Sequence, residues 1–167
     1  MSDANFLNSV NFLNSPKDLI TILIVFIVGC YLIFKSSNYF NSTITRALLL
    51  YIWHSVFCFA YIFATTIIGG DSIWYYTSSL NVLREFSFGT TAVQYLTAIF
   101  TVGFGLTYIS TFLVFNIIGS YGLLAFDATL RHINKNKSGF VKSLSLFIIL
   151  LPSLSFWSSA IGKDSIH

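Results

Sequence analysis

Asp71 is the side chain in this sequence best placed to do chemistry. It stands in the stretch GGDSIWYY (69–76), directly after a long run of almost uncharged apolar residues. A carboxylate at such a boundary is a solvated loop acid, or it works as a general base or a metal- or phosphate-associated ligand at the mouth of a membrane cavity. Gly69 and Gly70 let the chain leave a helix sharply, with the acid just past the helix C-terminus. The negative end of a helix dipole disfavours a carboxylate there, so stability alone would select Lys or Arg. Arg84 follows on the next stretch and can hold a lipid phosphate or a pyrophosphate, or simply anchor the interface. A second polar run, PSLSFWSSAIGKDS (152–165), supplies Trp157, Ser158 and Ser159 as pocket-lining candidates and Lys163 as a counter-charge for an anionic ligand. Its alternative reading is a helix end kinked by Pro152, with serine hydroxyls serving the freed carbonyls and a snorkelling lysine.

Other polar residues read as structural. His54 and Asn116 each sit inside an apolar run, as neutral groups hydrogen-bonded between helices do. Cys30 and Cys58 form no CxxC or metal-ligand spacing and read as small apolar residues. The sequence contains no metal-binding spacing, nucleotide-binding loop, Ser-His-Asp set or HExxH.

These residues are positioned by a strongly apolar chain. Of 167 residues, 55% are hydrophobic and only 9% charged. A soluble domain carries about 25% charged residues, so the composition indicates an integral membrane protein. Its sparse charge excludes a nucleic-acid footprint. Four apolar runs, near 19–34, 47–68, 106–126 and 144–161, predict transmembrane helices, the last interrupted at Pro152. The stretch 89–105 is short and polar for a fifth span. Basic residues between 35 and 46 and between 128 and 142 belong in the cytoplasm by the positive-inside rule. Four spans satisfy that bias and place GGDSIWYY outside, together with the end of the last span. A fifth span would break it, so 77–104 is expected to be interfacial. Trp74, Tyr75 and Tyr76 would then form an aromatic belt. The expected fold is all-α: a polytopic membrane helix bundle of about four transmembrane helices plus an interfacial helix, in one domain over 1–167. A repeated NFLNS near the N-terminus suggests a further short interfacial piece.

GGDSIWYY after an early span, followed downstream by LPSLSFWSSAIGKDS, resembles bacterial multi-span proteins of surface polysaccharide synthesis, relatives of the GT-C superfamily of membrane glycosyltransferases. The resemblance implies a location in the cell inner (plasma) membrane, a polyprenyl-phosphate sugar donor, and Asp71 as the acid of the first large outer loop. Asp71 would deprotonate the acceptor hydroxyl or bind a divalent metal on the donor phosphate. Arg84, Trp157, Ser158, Ser159 and Lys163 would contact substrate. Such enzymes are usually longer, so the chain is expected to be an N-terminal fragment of a larger protein, inactive alone. The alternative is a small non-catalytic membrane subunit or accessory protein, in contact with membrane lipids and held by helix packing. Transport ranks last, because ionisable residues inside the spans are scarce.

Overall fold

The computed structural model describes residues 15–81 and 89–161. Helix α1 (Pro16–Ser36) is followed by α2 (Ile44–Ile68), a short α3 (Asp71–Ser79), and α4 (Thr90–Ala98), which runs on into a π-helical turn at Ile99–Gly103. Then come α5 (Tyr108–Ile133), α6 (Gly139–Ile149) and α7 (Pro152–Ser158). The fold is all-α, with four stretches long and apolar enough to cross a membrane: α1, α2, α5, and α6 with α7 together. The helix starts are locally encoded. Pro16 occupies the first turn of α1, and the Asp18 carboxylate accepts from the Ser15 backbone N–H at 3.0 Å. Thr43 caps α2 by accepting from the Arg46 N–H. Gly69 ends α2 at φ +80°, a conformation an L side chain resists.

Helix α5 is central: 67% of its membrane-length window is buried, against 11% for α1 and 11% for the α6–α7 span. It runs antiparallel to α2, and three polar contacts mark the register. Arg46 meets Asp127, His54 meets Asn116, and Thr65 meets Tyr108. Arg46 and Thr65 lie about 28 Å apart along α2 at 1.5 Å per residue. The three contacts therefore fall near one edge, the middle and the other edge of a hydrocarbon slab about 30 Å thick, the Arg46 edge being the one that the positive-inside rule assigns to the inside. Between them pack Tyr51, Cys58, Phe112 and Phe115, all essentially inaccessible. Two glycines set the closest approaches. A side chain at Gly29 would strike Tyr51 and Ile117, bringing α1 onto α2 and α5. One at Gly119 would strike the Ser158 carbonyl and His54.

Several sequence expectations need correction. Helix α5 does not end near residue 126; it continues to Ile133, because Asp127 and Arg131 are held within it by ion pairing. Part of the expected basic loop is therefore helix. Tyr75 and Tyr76 are buried, 7% and 8% exposed, and pack with Ile73 into the core, leaving Trp74 facing outwards. In a helix, residues three and four apart share a face, so Ser72, Tyr75, Tyr76 and Ser79 turn inward together. Among the described residues, the stretch from 69 to 107 holds only the short helices α3 and α4 and the π turn. Ser79 Oγ and Thr101 Oγ1 join its two arms at 3.0 Å. The break expected at Pro152 is present, with α6 ending at Ile149 and α7 starting at Pro152. The NFLNS repeat lies outside the described residues.

Candidate functional site

The middle contact is a cluster of polar side chains drawn from three helices. His54 Nδ1 lies 2.6 Å from Asn116 Oδ1 and 3.1 Å from Ser120 Oγ, and Nε2 lies 2.9 Å from Ser158 Oγ. Neighbouring donors fix its protons. Ser55 donates to the Tyr51 carbonyl and accepts from Asn116 Nδ2 at 2.8 Å, so Asn116 turns its oxygen to the histidine. Ser120 donates to the Asn116 carbonyl at 2.7 Å. Both groups facing Nδ1 are thus acceptors, and the neutral imidazole carries its proton on Nδ1. The one hydroxyl proton of Ser158 then serves either Nε2, at 2.9 Å, or the Leu154 carbonyl, at 2.6 Å, one at a time. The cluster ties α2, α5 and α7 together. Asn116→Leu should lower the unfolding free energy by about 1–2 kcal/mol, because two interhelical bonds go and Nδ1–H keeps only Ser120 Oγ, at 3.1 Å. Thermal unfolding in detergent measures it; an unchanged midpoint would show that the bonds contribute nothing to packing.

Asp71 is exposed and occupies the first turn of α3, preceded by Gly70 at the N-cap. The dipole expectation is therefore reversed: although Asp71 follows the C-terminus of α2, it sits at the positive end of α3, where a carboxylate is favoured. The neighbouring Ser72 is buried, with Oγ 3.3 Å from Tyr108 Oη, and Thr65 Oγ1 lies 3.2 Å from the same phenol. Tyr108 thus pins the ends of α2, α3 and α5 at one point, a role that an isolated tyrosine in a Thr-Tyr-Ile run does not announce. Burial, with a lesser contribution from the Asp18 carboxylate, pushes the Tyr76 phenol above its ordinary range, keeping it neutral. As for a metal at Asp71, no group of three His, Cys, Asp or Glu side chains converges anywhere among the described residues. A single carboxylate is a poor fit for a protein-held divalent ion.

Ser158 and Asp71 are not brought together. Ser158 bonds His54, about 21 Å along α2 from Ile68. Trp157 is 56% exposed, its ring 6.0 Å from that of Tyr61. Ser159 is buried and donates to the Phe156 carbonyl at 3.1 Å. The FWSS segment packs against α2 at the level of His54, and Ala160 and Ile161 just beyond it join the buried cluster that holds Ile73, Tyr75 and Tyr76. Ser158 and Ser159 bond the carbonyls of Leu154 and Phe156 within α7, not those that Pro152 frees in the preceding turn. Arg84 and Lys163 lie outside the described residues.

The strongest electrostatic feature is at the Arg46 end of the bundle, expected from the charge bias to be the inner one, where sequence reasoning placed only a basic loop. Asp127 is fully buried. It accepts from Arg46 Nε at 3.0 Å and Nη2 at 2.7 Å, and from Arg131 Nε at 2.9 Å. Arg131 spends its remaining edge on the Phe40 and Asn41 carbonyls, clamping the turn between α1 and α2. Arg46 lies in the first turn of α2, where the dipole disfavours a cation, and the Asp127 carboxylate offsets that. The available sequence signal was the i,i+4 spacing of Asp127 and Arg131.

Compared with protein-family models, curated proteins and solved structures, the chain matches none. The resemblance to GT-C enzymes rests on its two short motifs.

Proposed function

We propose that this multi-span membrane protein works as a non-catalytic subunit or accessory protein of a plasma (inner) membrane, held by helix packing. One observation carries the reading: the polar side chains at the middle of the bundle bond one another across α2, α5 and α7, so they serve assembly. The sparsely buried α1 and α6–α7 spans, with apolar residues such as Leu23, Ile27 and Phe147 facing outwards, suit contact with lipid or with other membrane helices.

Sugar transfer from a polyprenyl-phosphate donor is the second reading. Its support is the exposure of Asp71 at the head of the paired short helices α3 and α4, the kind of segment that the resemblance implies. There Asp71 would take the proton of an acceptor hydroxyl as its oxygen bonds to the anomeric carbon and the lipid phosphate departs with the bonding pair. Asp71→Asn separates the two. Complementation of a deletion strain, scored by surface glycan and by membrane insertion, should be retained if the protein is accessory. Loss of glycan with insertion intact would replace the accessory reading with the enzymatic one.

A further inference from the structure

We infer that the inner end of the bundle carries a binding site for the phosphate group of an anionic lipid headgroup. A cavity of about 370 Å³ opens there between α2, α5 and α6, within the range of about 300–1,000 Å³ that holds small molecules. Its polar side is lined by Arg46, Arg131 and Lys142 against Asp127 alone. Three cations and one carboxylate leave a net charge of +2, which matches a phosphomonoester at neutral pH, with about −1.5 to −2.

The donors are ordered to different degrees. Asp127 grips Arg46 through Nε and Nη2 and leaves Nη1 unengaged by that pair. A guanidinium held in this way keeps a fixed orientation and N–H groups to spare. Lys142 pairs with no carboxylate among the described residues, and Ser143 beside it adds a hydroxyl to the lining. Asn134 donates to Ser145 Oγ at 2.6 Å, closing the gap between α5 and α6 at the mouth. The opposite side is apolar: Leu130, Leu146 and Ile149, with Leu146 39% exposed on the flank of α6. Cations above and an aliphatic wall below suit a headgroup whose acyl chains descend along α6. Basic pockets between helices on the cytoplasmic side recognise such headgroups. Lys35 in the last turn of α1 and Lys135 and Lys137 in the α5–α6 turn add positive charge to this end of the bundle, where Asp127 is the one acid among the described residues. The site is independent of Asp71, at the opposite end of the bundle.

The test uses the full chain in a neutral detergent, with thermal unfolding followed against added short-chain lipid. Dioctanoyl phosphatidic acid should stabilise the protein saturably and dioctanoyl phosphatidylcholine should not. Lys142→Gln, an exposed position expected to fold, should weaken phosphatidic acid binding about tenfold, the loss of one charge-assisted hydrogen bond. Lys135→Gln, on the same surface but outside the cavity lining, should leave binding unchanged. Equal weakening by both variants would reduce the effect to diffuse surface charge and overturn the site, as would no effect of Lys142→Gln. Equal stabilisation by phosphatidylcholine would overturn it too. Inorganic phosphate binding as tightly as phosphatidic acid would overturn the lipid assignment in favour of a soluble phosphate.

Discussion

Asp127→Ala should cost about 3 kcal/mol of stability, because it leaves two guanidinium groups facing each other with nothing between them. Removing one partner of a buried ion pair costs about 3–5 kcal/mol. Here the lower end applies: the carboxylate is inaccessible, but both arginine side chains are 32% exposed and can turn partly to water. The loss has two further parts. Arg46 at the start of α2 regains its unfavourable dipole interaction, and Arg131 loses the contact that steers it onto the α1–α2 turn. A double-mutant cycle with Arg46→Ala, read by unfolding in detergent, should show strong coupling between positions 46 and 127. Additive single effects would mean the pair is a surface ornament.

Gly119→Val should be nearly as damaging, by a different route. The added side chain meets the Ser158 backbone carbonyl, which cannot rotate away as a side-chain tip can, and the His54 ring. Overpacking of this kind costs about 1–3 kcal/mol. Displacing α7 also breaks the bond from Ser158 to His54, so the upper end is expected. Thermal unfolding in detergent measures the loss, with Gly119→Ala expected to fall between glycine and valine. An unchanged midpoint for valine would show that α7 does not depend on the small residue.

The four spans could be read from the sequence because about 20 apolar residues announce a crossing whatever their neighbours are. His54 and Asn116 were legible as interhelical groups for the same local reason: an amide or imidazole in hydrocarbon needs a partner. The partner's identity depends on the register between helices, which a single chain does not display. That hid Ser158, which composition placed at an outer mouth with Asp71 and which packing draws to His54. The true length of α5 was hidden because Asp127 and Arg131 look like loop residues until Arg46, 81 positions earlier, neutralises the first of them. Tyr75 and Tyr76 were misassigned because membrane-edge aromatics and core aromatics share a composition and differ only in the face they occupy.

The order of polar contacts along α2 also bears on time. During synthesis at about 5–20 residues per second, Asp127 follows Arg46 after about 4–16 s, and Asn116 follows His54 after about 3–12 s. Each early partner must survive that wait alone. Arg46 waits at the watery rim, where a charge is tolerated. The group that waits in hydrocarbon is an imidazole that can remain uncharged. The same arrangement with charge in the middle and imidazole at the edge would give an equivalent finished bundle, but a nascent α2 that water would pull back out of the membrane.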